Sequence, residues 1–293
     1  MMRVLITGAS GFLGRYLLQQ APANQRILAL GFQQFVNNLP VNTSFFRYDL
    51  TSEISPELDD FAPDIIFHLA AMSSPEDCER YPEEARAITV ESTRMLAELA
   101  AKHDARLIFT STDLVFDGED APYSETDRPT PINNYGVLKK QAEELLLDLL
   151  PEQAVVARCP LMYGRSAPGR ENFTAGIIRR LREEISVPLF IDEYRTPAWG
   201  RDVADVLWHL ALGQESGIFH LGGKERLSRY DMGTLLCAEL KANSALLQAS
   251  LREDVNSLAK RPRDCSLSSS RKTGSIQLPL PGFSERIKDL LDE

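Results

Sequence analysis

The chain predicts an α/β fold, a doubly wound parallel sheet with a smaller C-terminal α/β lobe. Three observations predict it. Through the first half, short and nearly continuous apolar runs alternate with amphipathic helical patterns, the rhythm of βαβ units whose strands are covered on both faces. A turn with glycines at 8, 11 and 14 follows directly on the first apolar run. After Pro160 the rhythm gives way to a stretch rich in Gly, Pro and Arg.

Taken in order, Arg3-Val4-Leu5-Ile6 reads as the first strand, and residues 12–20 as the helix after the glycine turn. Residues 26–30, 44–48, 64–69 and 106–110 are further short apolar strands. Between the last two, Ala85, Ile88, Met95, Leu96 and Leu99 mark the apolar side of one long helix at about 82–102. A helix at 135–150 is stopped by Pro151, and residues 154–158 form the next strand. Beyond Pro160, the pattern predicts a helix at 173–184, a short strand at 188–191 and a loop at 192–200. A helix at 202–212 and a strand at 217–221 follow. Ser228, with Asp231 three residues on, predicts a capped helix start. Residues 261–282 read as an ordered loop and 284–291 as a terminal helix. The expected division is a dinucleotide-binding domain at 1–160, to which 199–221 return, and a substrate-binding lobe from 161–198 and 222–293.

Composition excludes several classes of function. With 293 residues, 43% of them hydrophobic, the chain can bury a large core. The net charge of −10 argues against a nucleic-acid partner. No apolar run approaches the roughly 20 residues that span a bilayer, and the first residues lead straight into a strand rather than a signal peptide. Cys78, Cys159, Cys237 and Cys265 are far apart and the four histidines show no ligand-pair spacing. Reduced thiols in a cytoplasm and no metal site are therefore expected.

Three motifs carry chemistry. The first, Thr7-Gly8-Ala9-Ser10-Gly11-Phe12-Leu13-Gly14, sets a glycine turn between strand and helix, where backbone N–H groups can cradle a pyrophosphate. In the second, Tyr135 and Lys139 lie one turn apart at the start of a helix. An ammonium there, with a nicotinamide ring, would lower the phenol from its ordinary pKa near 10 and make it an acid–base group. The third, Ser111 and Thr112, follows the strand at 106–110, at the carboxyl edge where open α/β sheets bind ligands. Either hydroxyl could polarise a substrate carbonyl.

With these motifs in hand, the sequence resembles the extended short-chain dehydrogenases/reductases, a Rossmann-type superfamily, and within it the dTDP-4-dehydrorhamnose reductases. The resemblance rests on residues 7–14, on Ser111-Thr112-Asp113-Leu114-Val115-Phe116-Asp117-Gly118, on residues 131–139 and on Arg158-Cys159-Pro160-Leu161-Met162-Tyr163-Gly164. Weaker matches are Arg195-Thr196-Pro197, residues 219–223 and residues 261–267. The resemblance implies a catalytic triad of Thr112, Tyr135 and Lys139: Tyr135 donates a proton as hydride arrives, Lys139 binds the cofactor ribose and tunes Tyr135, and Thr112 fixes the carbonyl. It implies cofactor contacts from Gly8, Ser10, Gly11, Phe12, Leu13, Gly14 and Arg15, from Asp49 and Leu50 at the adenine, from Leu69, Ala70 and Ala71 at the ribose, and from Pro160 beside the nicotinamide.

The sequence departs from the family at three places. The mid-helix pattern Asn-Val-x-Gly-Thr reads Thr89-Val90-Glu91-Ser92-Thr93, which removes the contacts an Asn would make. The second strand ends Gly31-Phe32-Gln33, without the carboxylate that grips ribose hydroxyls in NAD-preferring relatives, and Arg15 could attract a 2′-phosphate. NADP(H) is therefore favoured, with NAD(H) left open. Related 4,6-dehydratases carry Glu after the Asp, where this chain has Leu114, so dehydration is disfavoured.

Arginines concentrate past residue 164: Arg165, Arg170, Arg179, Arg180 and Arg182, then Arg195, Arg261 and Arg263. They suit capture of a diphosphate, and Arg195 and Arg261, each in a loop beside Pro, are the favoured pair. Met72, Asp113 and Trp199 complete the candidate substrate contacts, with Tyr163 and Trp199 able either to stack on a base or sugar or to pack internally. The expected activity is reduction of a keto group on a nucleotide-linked sugar. Two alternatives stand beside it: a nucleotide-sugar epimerase holding NAD tightly, and a regulatory subunit like the β subunit of methionine adenosyltransferase. The resemblance also suggests a homodimer through the helices at 82–102 and 135–150, although the chain's own core could fill those faces.

Overall fold

A computed structural model describes residues 1–32, 36, 39–165, 171–271 and 277–292. Gln33 and Arg170 lie outside the described residues. Seven parallel strands form the main sheet: β1 (Arg3–Thr7), β2 (Arg26–Gly31), β3 (Thr43–Arg47), β4 (Ile65–His68), β5 (Arg106–Thr112), β6 (Ala154–Cys159) and, late in the chain, Gly217–His220. From one edge to the other, the order is Gly217–His220, β6, β5, β4, β1, β2, β3. The chain order thus reverses between β1 and β4, which opens a crevice at the carboxyl ends of those two strands.

Strand residues alternate between two cores. Val4, Ile6, Ile27, Phe67, Ile108 and Val155 face one side, against α1 (Phe12–Gln19) and the helix at Gly200–Leu212. Leu5, Leu28, Ile66, Leu107, Phe109 and Val156 face the other, against the helices between β4 and β6. Two short helices fall where no helix was expected, α2 (Pro56–Phe61) and α3 (Pro75–Arg80), each opened by a proline in its first turn.

The expected single helix at 82–102 is interrupted. It consists of α4 (Pro82–Arg86), a π-helical turn over Ala87–Glu91 and α5 (Ser92–His103). Apolar spacing does not reveal such a turn, because five residues are too few to show a change of period. Strand β5 also runs two residues past its expected end, so Ser111 and Thr112 are its last residues and not a loop after it; both pair with β6.

Helix α6 (Asn134–Leu149) precedes β6, and the remaining elements follow beyond it, the helix at Gly200–Leu212 and the strand Gly217–His220 with the main sheet and most of the others in a second cluster. These are β7 (Met162–Tyr163), α7 (Phe173–Arg182), β8 (Val187–Phe190), β9 (Tyr194–Arg195), β10 (Ala198–Trp199), α8 (Gly200–Leu212), β11 (Gly217–His220), β12 (Leu227–Ser228), α9 (Arg229–Glu239), β13 (Leu247–Ser250) and α10 (Phe283–Asp292). The segment at 192–200, expected as a loop, carries β9 and β10, which are too short to leave a periodic signal. A separate core of Ile177, Leu181, Val187, Leu189, Met232, Leu236, Phe283 and Ile287 holds the lobe together. The Ser228 side chain caps α9 and Asp231 returns the bond, a complete capping box. The described part of 261–282 is tied down by bridges to Tyr123, Tyr194 and Gly223.

Candidate active site

The glycine turn is built by close approach. Gly8 has φ +66°, and a Cβ there would lie 2.8 Å from the Ala70 amide nitrogen. At Gly14 a Cβ would meet the Gly8 carbonyl at 2.4 Å, so any side chain would push α1 away from β1. The N-terminus of α1 has no side-chain cap and no acid in its first turn, which leaves its N–H groups free for an anion. Ser10, Gly11 and Phe12 are half-buried around this turn, whereas the Leu13 side chain lies in the core. Any contact from Leu13 to a ligand is therefore a backbone one. The arrangement fits a dinucleotide pyrophosphate. Asp49 accepts from the Thr51 amide at 2.9 Å and its hydroxyl at 2.8 Å, fixing the chain beyond β3, with Leu50 half-buried beside it.

A buried histidine joins this turn to the interrupted helix. Thr7 Oγ1 accepts from the Leu69 and Ala70 amides, each at 3.2 Å, so its own proton goes to His68 Nδ1 at 2.9 Å. That assigns the proton of the neutral ring to Nε2, which donates to Thr93 Oγ1 at 3.1 Å; Thr93 in turn donates to the Thr89 carbonyl at 2.6 Å. Burial, reinforced by the charge of Lys139, holds His68 down at about 3, so it stays neutral. The π-turn residue Thr89, standing where the family has Asn, leaves its own hydroxyl buried without a partner. His68 and Thr93 were not singled out from the sequence. Their signal is tertiary, since 25 residues separate them.

Thr112, Tyr135 and Lys139 come together at the carboxyl edge of β5. Asn133 caps α6 by accepting from the Gly136 amide at 2.9 Å, which sets Tyr135 in the first turn. Gly136 packs so closely on the loop after β5 that a Cβ would lie 2.1 Å from the Leu114 carbonyl. The Thr112 hydroxyl lies near enough to the Tyr135 phenol to hold its pKa down, and it donates to Asp113 Oδ1 at 3.2 Å. Ser111, the other candidate, turns away and donates to Glu143. The inward hydroxyl is therefore that of Thr112.

Burial pushes the Tyr135 phenol above its ordinary range, and the Asp113 carboxylate pushes it further; Thr112 offsets them in part. The lowering expected from Lys139 does not occur in the protein by itself, because desolvation dominates and the Lys139 ammonium donates to the Thr110 carbonyl at 2.7 Å. Lys139 is itself lowered to about 8 by burial. One of its three donors is thus occupied and the ammonium sits 4.5 Å from the centre of the Phe109 ring. Glu143, one turn beyond Lys139, forms a buried pair with Arg158 at 2.7 Å, and Arg158 reaches His220 at 3.2 Å. This network was missed, although the spacing 135, 139, 143 places all three residues on one helix face.

The substrate-side expectations are partly redistributed. Arg195 is not an open diphosphate ligand: it is 4% exposed, with Nε 3.2 Å from Asp113 Oδ2 and Nη2 3.6 Å from Glu193. Glu193 also pairs with Arg229 at 2.6 Å and Arg261 at 3.6 Å. Burial raises the Asp113 carboxyl, with Arg195 opposing. Tyr163 is fully buried with its ring edge-on to Phe283, and Trp199 is 5% exposed in the same core, so both pack internally. Arg179 is held by Glu171 and Glu183, and Arg180 by the Ser186 carbonyl. Met72 packs half-buried beside Cys78 in the cluster that Tyr135 joins, and Pro160 follows directly on β6. Arg15 lines a cavity of about 140 Å³ with Tyr16, Gln19 and Arg165, and its Nη1 is buried without a partner. Among the described residues, no group of three His, Cys, Asp or Glu side chains could hold a metal ion, and no helix is long and apolar enough to cross a membrane.

Comparison with known proteins finds that the model of the RmlD substrate binding domain matches residues 2–293. Methionine adenosyltransferase 2 subunit beta of Danio rerio is 31% identical over 299 residues, covering 99% of this chain and 90% of its own length. A dTDP-4-dehydrorhamnose reductase of Aggregatibacter actinomycetemcomitans is 31% identical over 283 residues, covering 91% and 90%. In fold, the chain is similar to the dTDP-4-dehydrorhamnose reductase of Bacillus anthracis, solved in complex with NADP. The TM-score is 0.85 at 22% identity, over 99% of each chain.

Proposed function

The chain belongs to the RmlD substrate binding domain family, and from that membership we propose that it is a nicotinamide-dependent reductase of a keto group on a nucleotide-linked sugar, dTDP-4-dehydrorhamnose reductase-like. The observation that carries this reading is the meeting of Thr112, Tyr135 and Lys139 at the carboxyl edge of β5, beside a glycine turn open to an anion. A bound nicotinamide supplies the hydride. The Tyr135 phenol gives its proton to the carbonyl oxygen, and Thr112 holds that oxygen in line. A phenol kept protonated by burial is in the form a reduction requires, and solvent then restores the proton. Lys139, with donors left beyond its bond to Thr110, holds the cofactor ribose and offers positive charge to the developing phenolate. The residues of the turn, with Asp49, Leu50, Leu69, Ala70, Ala71 and Pro160, form the rest of the cofactor site. Residues 1–160 and 199–221 make the cofactor domain, and the remainder the substrate lobe.

Two relatives at 31% identity bear different names, one a reductase and one a subunit of another enzyme. The arrangement of Thr112, Tyr135 and Lys139 favours the reductase over the subunit, and Leu114 disfavours dehydration. The four unpaired, buried cysteines support a cytoplasmic protein, and the family resemblance supports a homodimer through the helices at 82–102 and 135–150. The test is NADPH oxidation with dTDP-4-dehydrorhamnose. Wild type turns over steadily, and Tyr135→Phe, with an unchanged melting temperature, loses about 10²–10⁴-fold in kcat. No turnover, with capture of a stoichiometric partner enzyme, would establish the subunit reading; NAD retained through gel filtration would establish the epimerase.

A further inference from the structure

The carboxyl end of β2 is where an α/β dinucleotide site reads the ribose 2′ position, with a carboxylate for a free hydroxyl or an arginine for a phosphate. Here β2 ends at Gly31, which has no side chain, and Phe32 beyond it is 49% exposed. This end is tied to the glycine turn, because the Ala9 amide donates to the Leu30 carbonyl at 3.0 Å. In the parallel register of the next strand, Gly31 lies opposite Arg47, and the Tyr48 amide donates to the Gly31 carbonyl at 3.0 Å. The exposed Arg47 guanidinium sits 5.8 Å from the centre of the Phe32 ring, and among the described residues no carboxylate pairs with it. Phe32 thus presents an apolar face and Arg47 an unspent cation at one point on the sheet edge.

We propose that Arg47, backed by Phe32, is the contact for a 2′-phosphate and gives this chain its preference for NADP(H) over NAD(H). The inference rests on the nicotinamide reading above and deepens it. It also moves the contact away from Arg15. The cavity that Arg15 lines is shared with Arg165, which follows β7, and β7 pairs with β10 outside the main sheet rather than with β2 or β3. Arg15 therefore serves an anion on the pyrophosphate side, common to both cofactors. Arg47 stands at the position that differs between them.

The test is direct binding by calorimetry to wild type, Arg47→Ala, Arg47→Glu and Arg15→Ala, with NADPH, NADH, adenosine 2′,5′-bisphosphate and AMP as probes. An exposed arginine tolerates replacement, and thermal unfolding checks that each variant is folded. The expected result is that Arg47→Ala cuts the NADPH-to-NADH affinity ratio about tenfold or more, as loss of a charged hydrogen-bonded contact does, and Arg47→Glu cuts it further. The bisphosphate loses its advantage over AMP in parallel, and in wild type that advantage shrinks with added salt. Arg15→Ala weakens both dinucleotides alike. An unchanged ratio in both Arg47 variants, with both dinucleotides still bound, overturns the role of Arg47 and leaves the reductase reading standing. Failure of wild type to bind either dinucleotide overturns both.

Discussion

Lys139 is placed where its charge is costly and, in the proposed mechanism, useful. Its side chain is buried within α6, and burial lowers the ammonium to about 8. Between that value and the ordinary lysine value near 10.5, the unfolded chain binds more protons than the folded one, so this group makes folding more favourable as pH rises through that window. In the proposed mechanism function has the opposite sign, because the charge offered to the Tyr135 phenolate disappears above about 8. The expected outcome is that kcat/KM for the cofactor, which reports groups of the free protein, falls tenfold per unit as pH rises past about 8. A profile flat to pH 9.5 would remove Lys139 from the mechanism. The residue types were legible in the sequence, as was their spacing. The direction of the Tyr135 shift was not, because it depends on how deeply the ring and Asp113 are buried together.

At the scale of elements, the site depends on how closely α6 lies against the end of β5. Gly136 permits that approach, since only a hydrogen fits beneath the Leu114 carbonyl. Gly136→Ala would force the helix outward and separate the Tyr135 phenol from Thr112. The expected cost is about 1–3 kcal/mol of stability, seen as a fall in melting temperature, with a loss of kcat larger than that destabilisation explains. Wild-type kcat in the variant would show that helix α6 has slack. The glycine looks ordinary in sequence, lying between a tyrosine and a valine in a helix. Only the neighbouring strand end reveals why it has no side chain. The π-turn before α5 is similar: nothing in the spacing of Ala87–Glu91 marks it, and only the fold shows it leading into the helix from which Thr93 meets His68.

Across the whole molecule, the sheet and the lobe meet through buried charge. Arg195, from β9, is the countercharge to Asp113 beside the candidate catalytic residues and shares Glu193 with Arg229 and Arg261. Removing it leaves the Asp113 carboxylate buried and unpaired. Arg195→Met should cost about 3–5 kcal/mol, measurable as a lower midpoint of thermal unfolding, and adding Asp113→Asn should recover part of the loss. A midpoint within a degree of wild type would mean that the pair contributes nothing to the junction. The sequence drew attention to Arg195 as a cation beside a proline, and read it as facing outward toward a diphosphate. It could not show the two carboxylates, 82 and two residues away along the chain, that fold around it.

Periodicity and turn chemistry by themselves determined the doubly wound sheet, the helices α1, α6 and α8, the glycine turn and the Tyr135–Lys139 pair, because each is set by residues within one or two turns of each other. The short strands of the lobe, the turn of Ser111 away toward Glu143, the buried His68 and Glu143 networks, and Arg47 opposite Gly31 were decided only by tertiary structure. These depend on which strand ends lie side by side, and burial and pairing between such ends are set by strand order, which the local pattern does not encode.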